Sequence, residues 1–154
     1  MHGRFEGRRR LLGGAATLAL VPWLPARAAD AELPYIPALA AFLAGRTPRW
    51  ERIRLELPRL ADNGQSVPMK ITVDGPFAPG PTVRALRLFS QRNPVPEMAV
   101  FEYPVPVERV EVESRVRLAG TQRIAAVAEM SDGTLCANAV EVVVTIDACL
   151  DGTG

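Results

Sequence analysis

The chain has 154 residues, of which 48% are hydrophobic and 23% are charged, a composition typical of one soluble domain and unlike that of a disordered or membrane-embedded chain. The formal net charge is +1, but five of the 18 basic residues and one of the 17 acidic residues lie in residues 1–28, so 13 basic and 16 acidic residues remain. The body of the chain is therefore mildly acidic, which argues against nucleic-acid binding.

The N-terminus has the pattern of an export signal. The three arginines Arg8–Arg10 precede an apolar run from Gly13 to Leu24, which is too short to span a membrane, and small residues follow. Paired arginines before a segment rich in Gly and Ala resemble the twin-arginine signal, whose cargo crosses the membrane folded, and an ordinary secretory leader is the alternative. We expect a signal peptide over residues 1–28, cleaved after Ala28 or alternatively after Ala31, and a mature protein that is periplasmic or extracellular and does not span the membrane.

Residues 29–48 predict a short amphipathic helix. The helix is expected to end at Gly45, before Thr47-Pro48. Its apolar side chains recur at helical spacing: Leu33, Ile36, Ala40 and Leu43. We expect this helix to lie on the main sheet or on a partner.

From Arg52 onward the apolar residues recur with a period of two, which predicts strands. Seven such segments are separated by turn residues: Ile53–Leu57, Val67–Asp74, Val83–Ser90, Glu97–Tyr103, Val107–Leu118, Thr121–Glu129 and Thr134–Ile146. Their number and spacing predict an all-β fold, an immunoglobulin-like antiparallel β-sandwich over residues 49–147. The lack of helices between the strands argues against a parallel α/β sheet.

The two cysteines are predicted to have different environments. Cys136 and Cys149 are thirteen residues apart, which is roughly 40 Å along an extended strand, whereas a disulfide needs Cα atoms within about 7 Å. Cys136 has the same alternation as four apolar side chains of the last predicted strand: Val140, Val142, Val144 and Ile146. It should therefore face the core as an inert thiol. Cys149 follows among small and polar residues, so residues 148–154 are predicted to be a mobile tail that bears an accessible thiol.

Catalytic and metal-binding patterns are weak in this sequence. The single histidine, His2, lies in the leader, which leaves no partner for a Ser/His or Cys/His pair or a histidine-based zinc site. Three scattered methionines suggest core filling rather than a copper site (Met69, Met98 and Met130). Three glutamates that alternate with valine, with arginines nearby, suggest a solvated sheet face rather than an acid/base or calcium site (Glu108, Glu111 and Glu113). We expect no cofactor and no metal.

Two features are candidates for protein contacts. Trp50 and Tyr103, together with the N-terminal helix, could form a buried interface, because aromatic residues are enriched there, and a core role is the alternative. The loop Asn93–Pro96 could dock a partner, and a tight proline-rich turn is the alternative.

Four stretches of this sequence resemble the SoxY family: Leu55–Pro68, Arg92–Pro96, Arg115–Gln122 and Ala126–Gly133. The resemblance covers the chain from about Arg49 to Ile146 and the twin-arginine leader. It implies a sulfur carrier subunit of the periplasmic thiosulfate-oxidising Sox system, with no active site of its own. It also implies a heterodimer with a second sandwich subunit, SoxZ, and exchange with the Sox enzymes. The family's C-terminal cysteine, which covalently holds a thiosulfonate or persulfide, corresponds to Cys149.

The tail departs from the family's usual ending, Gly-Gly-Cys-Gly-Gly. Here Ala148 and Leu150 flank the cysteine, which makes the arm thicker, and Asp147 and Asp151 place carboxylates near the sulfur, which disfavours the thiolate. We favour a carrier that serves partners with wider clefts. The alternative is a binding or assembly module for a periplasmic redox complex, in which Cys149 is incidental or forms an intermolecular disulfide. A thiol redox enzyme would need a resolving cysteine, and Cys136 cannot reach.

Overall fold

Two β-sheets pack face to face in the computed structural model, which describes residues 32–75, 77 and 79–146. These residues form one helix and eight strands: α1 (Pro37–Leu43), β1 (Ile53–Glu56), β2 (Leu60–Ala61), β3 (Val67–Val73), β4 (Val83–Ser90), β5 (Glu97–Glu102), β6 (Val110–Val116), β7 (Gln122–Met130) and β8 (Leu135–Val144). One sheet has the order β1-β3-β6 and the other β2-β8-β7-β4-β5. Every pairing is antiparallel except that of β2 with β8. The predicted all-β sandwich is confirmed.

The core between the sheets follows from the alternation of each strand. On β3, every second side chain from Val67 to Val73 is buried, and Lys70 and Thr72 point to the other face. The facing sheet contributes inward side chains from β4, β7 and β8 to the same cluster (Leu86, Leu88, Ile124, Ala126, Ala128, Cys136, Val142 and Val144). Burial of these apolar surfaces is the main favourable term that holds the two sheets together.

The helix α1 covers the outer face of the five-stranded sheet, as one of the two sequence-based expectations had it. Ile36 and Leu39 pack against outward side chains of β4, β7 and β8 (Phe89, Ala125, Val127, Leu135, Ala137 and Ala139). Pro37 occupies the first turn, where its missing N–H costs nothing. The helix ends where Ala44 takes a left-handed conformation, with φ of 48°, and the Arg46 side chain donates to the carbonyls of Phe42 and Leu43.

Two details differ from the sequence-based prediction. The two-residue strand β2 was not predicted, because Leu60–Ala61 follows Pro58 and is too short to show alternation. Ile146 was expected on the buried face of the last strand, but β8 ends at Val144 and Ile146 is exposed. The pairing with β7 reaches only Val142 and the pairing with β2 ends at Val144, so neither neighbouring strand extends to Ile146. Within the described ranges, no helix is long and apolar enough to cross a membrane.

Candidate functional site

The candidate site lies at the end of the sandwich where β8 leads into the C-terminal tail. The predicted sulfur-attachment residue Cys149 falls outside the described residues, as do the leader and the tail segment 148–154. The last described residue, Ile146, precedes Cys149 by three positions. The described part of the site therefore consists of Ile146 and the residues that contact it or lie around it.

Backbone hydrogen bonds fix the course of the chain up to Ile146. On one side, the Gly64 N–H donates to the Ile146 carbonyl at 2.9 Å, and the Thr145 N–H donates to the Ala61 carbonyl at 3.0 Å. The Thr145 hydroxyl also donates to the Asp62 carbonyl at 2.7 Å. On the other side, the Val144 N–H donates to the Thr121 hydroxyl at 2.9 Å. The point from which the tail departs is therefore held by two different loops.

A buried network of polar side chains lies next to these loops. The Gln122 side-chain oxygen accepts from the Ser90 hydroxyl at 2.5 Å and from the Arg92 N–H at 2.9 Å. Its amide nitrogen donates to the Asn93 side-chain oxygen at 3.0 Å, and the Asn93 N–H donates to Ser90 Oγ at 3.0 Å. Ser90 and Gln122 are almost fully buried. Because the buried polar groups pair with one another, the network can hold one arrangement of the loops rather than several.

Asn93 connects this network to the next loop. Its side-chain oxygen also accepts from the Ala119 N–H at 2.9 Å, and its amide nitrogen donates to the Arg117 carbonyl at 2.8 Å. The Leu118 N–H donates in turn to the Gly64 carbonyl at 2.8 Å. These hydrogen bonds account for the shape of the loop Asn93–Pro96, in agreement with the alternative of a tight turn. Sequence reasoning missed that three separate stretches meet at this end, and the only local signal was a glutamine at the start of an apolar strand.

Three large apolar side chains are exposed at the same end, and we call them the tail-end patch: Leu60 is 58% exposed, Val143 is 44% exposed and Ile146 is 63% exposed. Leu60 is the register partner of Val143 across the β2–β8 pairing, so both lie on the outer face of the five-stranded sheet. Arg59 and Glu141 lie beside Val143 and line a shallow depression with it. Val143, one member of the patch, therefore has two charged side chains beside it.

Cys136 lies in the core, as predicted. It is buried among inward side chains near the start of β8, opposite Ala128 of β7. Burial raises the pKa of its thiol, so the reactive thiolate is scarce at neutral pH. The strand runs extended from Cys136 to Val144, about 26 Å at 3.3 Å per residue, so Cys136 is far from the tail end.

The methionines and the carboxylates have the structural roles that the sequence favoured. Met69 and Met130 are buried in the core, and Met98 packs against it. On the outer face of the three-stranded sheet, Lys70 pairs with Glu111 at 3.2 Å and with Glu113 at 2.8 Å. Within the described part of the chain, no three His, Cys, Asp or Glu side chains are grouped so as to hold a metal ion.

The ion pairs on this face set the protonation of Glu111. A hydrogen bond from Arg109, and then one from Lys70, lowers the pKa of the Glu111 carboxyl. A carboxylate with a lowered pKa between two cations stays ionised at neutral pH and is a poor general acid. Glu108 is exposed at the start of the same segment. The prediction of a solvated face is therefore confirmed for this set of glutamates.

The two aromatic candidates have different positions. Tyr103 packs against the core, and burial raises the pKa of its hydroxyl. Trp50 remains 41% exposed beside Arg49, whose backbone exchanges hydrogen bonds with Leu135 and Ala137 of β8. Tyr103 thus takes the core role, while contact of Trp50 with another protein stays a prediction.

The arrangement of strands resembles that of solved structures of other proteins. One is a superoxide reductase (neelaredoxin) from Ignicoccus hospitalis, at 14% identity over 71% of this chain and 93% of that chain, with a TM-score of 0.53. Another is a protein assigned to the superoxide reductases from Thermotoga maritima, at 19% identity over 61% of this chain and 87% of that chain, with a TM-score of 0.51. At such identities the likeness concerns the arrangement of strands alone.

The sequence comparisons are more specific. No curated protein sequence matches the chain. The profile of the family described as "Sulfur oxidation protein SoxY" matches residues 39–149, which begin within α1, include both sheets and make up more than half of the chain. The chain therefore belongs to the SoxY family of sulfur oxidation proteins.

Proposed function

We propose that this protein is a periplasmic sulfur carrier of thiosulfate oxidation, which holds sulfur intermediates covalently on Cys149 and has no active site of its own. The observation that carries the proposal is the extent of the family match, which runs through the sandwich and ends at Cys149. The match includes Asp147 and Ala148 before this cysteine, and Leu150 and Asp151 lie beyond its end.

The environment of the other cysteine supports the same assignment. Cys136 is buried with a raised thiol pKa, so it is neither accessible to an enzyme nor readily ionised. A carrier thiol must enter the active sites of other proteins, and a side chain within a rigid sandwich core cannot do so. Covalent loading of this chain therefore falls to Cys149.

The chemistry of loading defines what the partners must supply. When the Cys149 thiol joins thiosulfate, a bond forms between Sγ and the outer sulfur, one thiol proton leaves and two electrons leave, so a partner redox enzyme must accept the electrons. Hydrolysis of the resulting thiosulfonate consumes one water, releases sulfate and two protons, and leaves a persulfide without further electron transfer. The partners are Sox enzymes of thiosulfate oxidation, and a SoxZ-like sandwich subunit forms the heterodimer.

Replacement of Cys149 by serine tests the carrier function. In cells grown on thiosulfate, intact-protein mass spectrometry should find a sulfur adduct on the wild-type protein and none on Cys149→Ser, whose thiosulfate oxidation falls to background. The variant should keep the wild-type melting temperature, because the substitution lies beyond the last strand. Cys136→Ala is the matched control: it should still be loaded, although the lost packing of a buried side chain costs about 1 kcal/mol.

Two results would contradict the proposal. One is an unmodified Cys149 in wild-type cells that oxidise thiosulfate. The other is full activity of Cys149→Ser, which would favour an assembly module whose tail cysteine is incidental.

A further inference from the structure

The length of chain between the sandwich and Cys149 limits where a partner can bind. Cys149 follows Ile146 by three residues, and three residues span at most about 11 Å. Active sites lie in clefts, so an enzyme that takes the Cys149 sulfur into its cleft must bring the rim of that cleft against the protein surface around Ile146. This constraint follows from the covalent chain whatever path the tail takes.

Because Ile146 is held by hydrogen bonds, the chain before it cannot lengthen the distance that Cys149 reaches from the sandwich. The hydrogen bonds from Gly64 to Ile146 and from Thr145 to Ala61 tie residues 145–146 to β2 and to the loop that follows it. Release of Thr145 would also break its side-chain bond to the Asp62 carbonyl. An enzyme that binds Cys149 must therefore contact the surface of the sandwich around Ile146.

The tail-end patch has the chemistry of a contact surface. Leu60, Val143 and Ile146 expose apolar area next to the tail, and the exposed side chains of Arg59 and Glu141 flank it. An apolar centre with a polar rim is the usual anatomy of a protein interface. The outer face of the three-stranded sheet is different, since its Lys70, Glu111 and Glu113 side chains already pair with one another.

We infer that the tail-end patch is the docking surface for the rim of the active-site cleft in the Sox enzymes that load and unload Cys149. The occupant is a folded enzyme with apolar rim side chains that cover Leu60 and Ile146 while the thiol is held in the cleft. This inference rests on the proposed carrier function and adds the surface through which each enzyme recognises the carrier.

The test compares two double variants, each at two exposed apolar positions. Leu60→Gln with Ile146→Gln removes apolar area from the patch. Val100→Gln with Val105→Gln removes it from β5 and from the far end of the sandwich, where Val105 is 65% exposed. In cells, the initial rate at which the Cys149 adduct appears after thiosulfate is added should fall about tenfold in the patch variant and stay at the wild-type rate in the control.

Two further measurements separate docking from a disturbed tail. With purified proteins, a small disulfide reagent, 5,5′-dithiobis(2-nitrobenzoate), should react with Cys149 of the patch variant at the wild-type rate, because a small molecule needs no docking surface. The conservative variant Leu60→Met with Ile146→Leu keeps the apolar surface and should restore enzymatic loading.

Each alternative outcome decides between the two proposals. Loading of the patch variant at the wild-type rate would overturn the docking inference and leave the carrier function intact, and an equal fall in both double variants would also overturn it. A wild-type protein that never acquires an adduct would overturn the carrier function, and the docking inference with it.

Discussion

Among single residues, Asn93 joins the buried polar network to a neighbouring loop at the tail end. Its side chain joins the buried Gln122 amide, the Ala119 N–H and the Arg117 carbonyl, which belong to a part of the chain more than twenty residues away. A side-chain amide offers both a donor and an acceptor, and both are used here. The residue therefore contributes to the geometry of the end from which the tail departs, although it lies on a loop.

Replacement of Asn93 by alanine should destabilise the protein by about 2–3 kcal/mol, because the Ala119 N–H and the Gln122 amide lose their partner at a half-buried site. Asn63→Ala is the matched control, since Asn63 accepts one hydrogen bond, from the Gln65 N–H on an exposed turn, and should cost about 0.5–1 kcal/mol. Urea denaturation measures both. Equal losses in the two variants would show that Asn93 acts only as a local turn residue.

Among the secondary-structure elements, β7 and β8 show why alternation alone could not describe this sheet. Their inward side chains meet the three-stranded sheet, and their outward side chains, such as Val127 and Ala137, lie beneath α1. Strands buried on both faces lose the alternation of apolar and polar residues. The sequence predicted that α1 exists and offered the sheet as one of its two resting places, but the choice depended on contacts between segments far apart in the chain.

The contact of α1 with the sheet is centred on Leu39, which is almost fully buried. Leu39→Ala should lower the free energy of unfolding by about 2–4 kcal/mol, because the cavity forms between two elements that cannot close it fully. Tyr35→Ala, just before the helix, should change it by less than about 0.5 kcal/mol, because Tyr35 is largely exposed. Thermal unfolding of the two variants measures the difference, and a loss of less than 1 kcal/mol in Leu39→Ala would mean that α1 is only weakly docked.

Across the whole molecule, the sequence predicted the sandwich, the buried Cys136 and most strand bounds, because each depends on local periodicity. It did not predict the assembly of the tail end, where Gly64, Asn93 and Gln122 meet through hydrogen bonds between distant loops. It also expected Ile146 on the buried face, but β8 ends at Val144, where its pairing with β2 ends, and Ile146 is exposed. The stretches that resemble the SoxY family include these loops, so part of the family signal corresponds to the scaffold around the tail.

The proposed export of the whole chain can be tested at the paired arginines. A leader of the twin-arginine type requires the guanidinium pair, and lysine does not reproduce the planar, multiply donating group of arginine. The double variant Arg8→Lys with Arg9→Lys should therefore remain in the cytoplasm as an unprocessed precursor, whereas Arg4→Lys, which changes an arginine outside the cluster, should be exported normally.

Cell fractionation and the mass of the N-terminal peptide distinguish these outcomes. Under the proposed function the Sox enzymes act in the periplasm, so the retained precursor should also carry no sulfur adduct on Cys149. Export of the double variant at the level of the wild-type protein would instead indicate an ordinary secretory leader, through which the chain crosses unfolded and forms the sandwich only after it has reached the periplasm.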